Sequence, residues 1–194
     1  MLIIVKNKRL GFTIILSWIL ILALKDLLQV QSDRYIVYII GAKGNEGKSF
    51  YIKNKILHAP KVFGLVSTMF TSAQMMTALA SIGERAYYFA DVPRATREMY
   101  YMYQVLESLK NGLLSVFMYG KYDVLAFEKS PGVVVFSNDY PNLEYASLDR
   151  WKLYTIEYNS DGSSFLKESP LKFSGSVTKF SSASKKSNKS MVSK

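Results

Sequence analysis

Between Arg34 and Tyr158 short apolar runs alternate with longer stretches patterned for helices. RYIVYII, KVFGLV, AYYFAD, GVVVFS and WKLYTI are rich in β-branched or aromatic residues and bounded by Gly, Pro, Asp or Asn, which predicts five strands. GKSFYIKNKIL, TSAQMMTALASIG and REMYYMYQVLESLKNG lie between them, and each is long enough for a helix. Gly112, after Lys110 and Asn111, supplies a helix stop. Such alternation predicts an α/β fold with a mainly parallel five-stranded sheet covered by helices.

The two ends depart from this pattern. Lys6, Lys8 and Arg9 precede an apolar run over residues 11–24, and LKDLLQ continues it at helical spacing. The run is shorter than the roughly 20 residues of a membrane span and no small-residue cleavage site follows it. Periodicity leaves two readings open for residues 1–30, a core helix or a membrane or targeting segment. Residues 31–158 form the main domain, 159–174 read as a linker, and 175–194, rich in Ser and Lys with no acidic residue, as a disordered basic tail. Its KKSNK could address the nucleus or touch nucleic acid, or be solvated only.

At 194 residues with 49% hydrophobic content, one domain of ordinary size is expected. The net charge of +10 favours an anionic partner: nucleic acid, nucleotide or an acidic membrane surface. Without cysteine there is no disulfide and no thiolate metal site, and the single His58 excludes a multi-histidine metal cluster.

Candidate chemistry concentrates where YIVYII runs into GAKGNEGKSF. A strand, a Gly-rich loop and Lys-Ser opening a helix form the layout of a phosphate-binding loop. Gly41, Gly44 and Gly47 let the backbone wrap closely and aim its N–H groups at phosphate oxygens, and the helix starting near Gly47 adds its positive end. Lys48 is expected as an exposed charge reaching the terminal phosphates of ATP, and the Ser49 hydroxyl as a Mg²⁺ ligand. Strict spacing puts Ala42 where the first Gly of the motif belongs, one residue after Gly41. Further along, AYYFAD ends in Asp91 and GVVVFSN in Asn138, a carboxylate and an amide at the carboxyl ends of strands, where the ligand crevice of an open α/β sheet lies. A helix-capping Asp and a turn Asn are the plainer roles for the two.

GAKGNEGKS, YYFADVPR, YQVLESLKNG followed by GKYD, PGVVVFSNDYP and LDRWKLYTI, in this order, resemble the helicase part of the replication-initiator (Rep) proteins of small circular single-stranded DNA viruses. The loop form with Asn45 and Glu46 before Gly47, Lys48 and Ser49 is similar to the nanovirus and alphasatellite type. The resemblance implies a superfamily 3 helicase, an AAA+-like P-loop NTPase that assembles as a homo-oligomeric ring and translocates on single-stranded DNA or RNA. It implies Gly41, Gly44, Asn45, Glu46, Gly47, Lys48 and Ser49 as nucleotide-binding, Lys48 and Ser49 as Walker A, Asp91 as a Walker B acid holding Mg²⁺ with Ser49, and Asn138 as the water-orienting sensor. Arg150 matches an arginine finger acting on a neighbouring subunit's nucleotide. Lys121 falls in a hairpin that tracks the strand, where Tyr119 and Tyr122 can stack on bases; a solvated hairpin lysine and a surface ion pair of Arg150 with Asp149 or Glu157 are the plainer alternatives.

Three residues depart from the family pattern: Ala42 where Pro is usual, Ala90 before Asp91, and Gly132 after Pro131 where His is frequent. One histidine, downstream of the loop, cannot supply the histidine pair of the family's nicking domain. The expected activity is an ATP-dependent helicase or translocase inside the cell, in nucleus or cytoplasm. The alternative is a nucleotide-binding remnant of a viral Rep without turnover, attached to a membrane through residues 11–24 or bound to nucleic acid.

Overall fold

The computed structural model describes residues 23–29, 32–44, 46–68, 71–93, 100–118, 120–160 and 162–171. Helix α1 covers 23–29. It is followed by β1 (Ile36–Ile40), α2 (Lys48–His58), β2 (Phe63–Val66), α3 (Ser72–Ile82), β3 (Tyr87–Asp91) and α4 (Tyr100–Lys110). Then come β4 (Leu113–Met118), β5 (Lys121–Ala126), β6 (Gly132–Ser137), β7 (Trp151–Tyr158) and β8 (Ser164–Ser169). All five expected strands form, as β1, β2, β3, β6 and β7, and they run parallel in the order β2-β3-β6-β1-β7. This mixed α/β architecture is compatible with a P-loop NTPase-like fold.

The sheet is wider than five strands. β8 pairs antiparallel with β7, so the segment 159–174 contributes a strand where a linker was expected. The turn between them uses Gly162 at φ 82°, with Gly162 N–H donating to the Asn159 carbonyl at 3.0 Å. A separate two-stranded sheet also forms, the hairpin β4–β5. Gly112 closes α4 as expected, at φ 68° with its N–H donating to the Leu109 carbonyl at 2.9 Å.

Helices cover both faces of the sheet, which is why β1 and β6 are buried along their whole length. Alternate residues serve opposite faces. Tyr38, Ile40, Tyr88, Val133 and Val135 pack against Met75 and Leu79 of α3, Leu106 of α4, and Leu114 and Val116 of β4. Val37, Ile39, Phe89, Val134 and Phe136 pack against Tyr51 and Ile52 of α2 and Leu24 and Leu28 of α1. Leu24 and Leu28 are four apart and share one side of α1, so residues 23–29 behave as a core helix. The rest of the apolar run, 11–22, and the basic tail 175–194 lie outside the described residues. Among the described residues no helix is long and apolar enough to cross a membrane.

The register fixes the position of the candidate chemistry. Ile40 pairs with Ser137 and Asp91 with Phe136, so β1, β6 and β3 end side by side. The loop after β1, Asn138 after β6 and Asp91 at the end of β3 are thereby brought to one edge.

Candidate functional site

The loop 41–47 leaves β1 anchored to β6, with Gly41 N–H donating to the Ser137 carbonyl at 2.9 Å. Gly44 and Gly47 adopt φ 78° and 76°, a left-handed conformation that a side chain would strain. Gly47 is the N-cap of α2 and its carbonyl accepts the Tyr51 N–H at 2.8 Å, so the first turn of the helix opens directly from the loop. An open cleft of about 870 Å³ lies above, bordered by the loop, Ser49, Thr68, Asp91 and Asn138.

Four expected residues meet there. Ser49 Oγ donates to Asp91 Oδ2 at 2.5 Å. Lys48 Nζ donates to Asn138 Oδ1 at 3.0 Å. The Asp91 carbonyl accepts the Thr68 hydroxyl at 3.2 Å, which ties the strand end to the neighbouring β2 connection.

Lys48 is not the exposed charge that the sequence suggested. It is only 8% exposed, and besides Asn138 its ammonium donates to the carbonyls of Gly41 (2.7 Å) and Ser137 (3.1 Å) and pairs with Glu46 Oε2 (3.0 Å). Burial explains the difference: a cation taken out of water must be matched by acceptors and an opposite charge, and the strand ends and Glu46 supply both. Glu46 is itself 5% exposed; its Oε1 accepts from the Lys43 N–H at 3.3 Å and from the Tyr158 hydroxyl at 3.0 Å. Burial first, and then the Glu46 charge and hydrogen bond, push the Tyr158 phenol up to about 12, so it stays a donor at neutral pH. Asn45 lies outside the described residues.

Comparison with known proteins puts this geometry in context. The chain is 32% identical over 130 residues to Para-Rep C7 of the Faba bean necrotic yellows C7 alphasatellite, a match covering 67% of this chain and 44% of that protein. It is 34% identical over 127 residues to Para-Rep C2 of the Milk vetch dwarf C2 alphasatellite, covering 65% and 42%. It is also 30% identical over 125 residues to the master replication protein of Faba bean necrotic yellows virus (isolate Syrian SV292-88), covering 64% and 40%. The chain is a relative of Rep-type replication proteins. It spans less than half the length of the curated relatives it matches. No family model matches the chain.

In this Rep relative two groups of expected residues sit away from the cleft. Lys121 and Tyr122 open β5 of the separate hairpin and are exposed, Tyr122 opposite Phe117 and Lys121 opposite Met118. Tyr119 lies outside the described residues. Arg150 ends the short turn before β7, and Trp151 pairs with Ile36, so it lies at the end of the sheet opposite the loop. The arginine is 8% exposed; it donates to Asn111 Oδ1 at 2.7 Å and to the Arg34 carbonyl at 3.4 Å. Neither expected ion pair of Arg150 is the one observed: Asp149 pairs with Arg34 at 2.6 Å and Glu157 with Lys167 at 3.1 Å.

The Rep relative also has site residues that spacing did not single out. Tyr158 reaches the loop from 112 positions away, and its ring lies 3.8 Å beneath the Lys43 ammonium. No local signal marks it, because the contact is made only when β7 is laid beside β1. Thr68 is similar, a polar residue after β2 that acquires meaning from the β2–β3 pairing.

Proposed function

We propose that this Rep relative is the nucleotide-driven part of a replication protein, binding MgATP in the cleft and coupling its hydrolysis to movement along single-stranded DNA or RNA. The observation that carries the reading is the convergence of Lys48 and Ser49 with Asp91 and Asn138, contributed by three separate strand ends, within direct hydrogen bonds of 2.5 and 3.0 Å. A strand-end Asp needs no serine from a glycine loop for structural reasons alone.

Each group has a task suited to its position. Loop N–H groups and the start of α2 attract phosphate oxygens. Lys48 exchanges its present acceptors for phosphate oxygens and neutralises charge there. Asn138 orients the attacking water, and its present bond to Lys48 keeps the amide facing the cleft. Ser49 Oγ and the Asp91 carboxylate are adjacent hard oxygen donors, a pair that fits Mg²⁺ completed by phosphate and water. When bound, that ion neutralises developing charge on the phosphates. Exposed Lys121, Phe117 and Tyr122 on the hairpin supply a cation and aromatic faces for an unpaired strand. Arg150 enters as a group acting on a neighbouring subunit of a ring, which requires its guanidinium to leave Asn111.

One observation favours binding without turnover. Among the described residues the carboxylates bordering the cleft are Glu46 and Asp91, both already engaged. Titration of MgATP into the full chain tests the common part of both readings. Asp91→Asn and Ser49→Ala are expected to weaken binding at least about tenfold when Mg²⁺ is present and little when it is chelated. Equal affinity of parent and both variants in Mg²⁺ contradicts the proposal.

A further inference from the structure

The phosphate loop already holds an anion of its own. Glu46 lies inside it, its Oε1 taking the Lys43 N–H and its Oε2 the Lys48 ammonium, which are the kinds of donor that a phosphate oxygen needs. The fit is close: a Cβ built on Gly41 would stand 1.9 Å from Glu46 Oε2, so the carboxylate rests directly on the first residue of the loop. Tyr158 secures it from the far side by donating to Oε1 at 3.0 Å, and the Lys43 ammonium over the same ring ties the loop to the end of β7.

Resting on the nucleotide-binding reading above, we propose that Glu46 is a specificity-determining residue, a built-in competitor for the phosphate donors of the loop, and that Tyr158 is the positioning residue that latches it in place. A ligand enters by displacing the carboxylate from Lys48 and from the Lys43 N–H. A weakly charged anion gains too little from two shared donors to do so, whereas a polyphosphate also engages the rest of the loop and the start of α2. Glu46 therefore raises the threshold for occupancy and biases the site toward polyphosphates over single phosphate groups. Tyr158 makes that threshold depend on how β7 is seated, which gives the β7–β8 edge influence over the loop.

The experiment is an equilibrium titration of the full chain and of Glu46→Gln, Tyr158→Phe and the double variant with MgATP, magnesium pyrophosphate and inorganic phosphate, each protein first checked for parental circular dichroism. Removing the competing charge is expected to tighten MgATP and pyrophosphate binding by at least about tenfold in Glu46→Gln, and to make inorganic phosphate binding measurable. Losing one hydrogen bond to the carboxylate is expected to tighten MgATP about threefold in Tyr158→Phe. The double variant is expected to bind no tighter than Glu46→Gln, because the latch acts only through Glu46. If the parent binds MgATP and Glu46→Gln binds it equally or more weakly, Glu46 is holding Lys48 for the ligand instead of competing with it, and the proposal is overturned. Should Glu46→Gln not fold, Tyr158→Phe decides by the same sign. If no protein of the set binds MgATP, it is the nucleotide-binding reading that fails, and this inference fails with it.

Discussion

Replacing Lys48 by Ala removes the positive charge that faces Glu46 at 3.0 Å, in a pair whose side chains are 9% and 2% exposed. The carboxylate keeps two neutral donors, the Lys43 N–H and the Tyr158 hydroxyl, and the Gly41 carbonyl loses the ammonium donor. Breaking a buried ion pair from one side costs about 3–5 kcal/mol, chiefly because the remaining charge is left uncompensated. For a chain of this size about 2–4 °C accompany each kcal/mol, so the unfolding midpoint of Lys48→Ala is expected on the order of 10 °C below the parent. Glu46→Gln is expected to cost less, since Lys48 keeps Gly41, Ser137 and Asn138 as acceptors. The double variant is expected to be more stable than Lys48→Ala alone, the coupling expected of two residues in contact. Thermal unfolding of the four proteins followed by circular dichroism reads the midpoints, and urea unfolding gives the free energies of the cycle. A Lys48→Ala midpoint within about 2 °C of the parent, or a double variant no more stable than Lys48→Ala, refutes the reasoning.

Other sites give independent tests. Arg150→Ala is expected to lose about 1.5–3 kcal/mol of stability through its bond to Asn111, read by urea unfolding; parental stability with lost ATPase activity points instead to a role on a neighbouring subunit. Lys110, 2% exposed and donating to the Ser32 and Pro131 carbonyls, has its ammonium pulled down to about 8 by burial, against Asp33 and with Arg150. The unfolded chain then binds the extra proton between about pH 8 and its ordinary 10.5, so the parent gains stability relative to Lys110→Met as pH rises through that window, by at most about 1.4 kcal/mol per pH unit. A stability difference between the two that stays flat from pH 7 to about 9.5 contradicts that assignment. Lys121→Ala is expected to weaken single-strand binding and lower the magnitude of its log–log salt slope by about one, and an unchanged slope removes Lys121 from the interface.

How much of this was legible in the sequence depended on the environment of each element. β1, β3 and β6 are buried on both faces and read as continuous apolar runs, and the register that joins Ile40 to Ser137 and Asp91 to Phe136 follows from laying them side by side. The hairpin β4–β5 and the edge strand β8 are half exposed, with Phe117, Tyr122 and Val124 among their open positions and Lys167 and Glu168 in β8, so their composition resembled connection more than sheet. A signal existed for β8: Asp161-Gly162 between two alternating runs is a hairpin pair. The site divides the same way. That Lys48, Ser49, Asp91 and Asn138 come together was legible because their positions relative to strand ends are local. Glu46 and Arg150 were singled out too, but the inward turn of Glu46 onto Tyr158 and the burial of Arg150 against Asn111 were not legible, because these contacts span 112 and 39 positions that no spacing encodes.

The most direct test of the central claim is steady-state ATP hydrolysis by the full chain, measured with Mg²⁺ in the absence and presence of single-stranded DNA and RNA, alongside Asn138→Ala. The account expects turnover that a single strand stimulates, and an Asn138→Ala variant that binds MgATP within a few fold of the parent yet hydrolyses it at least about a hundredfold more slowly, since water orientation counts in the transition state more than in the ground state. A parent that binds MgATP tightly and shows no turnover with either strand contradicts the claim of a nucleotide-driven machine and leaves a nucleotide-binding module in its place.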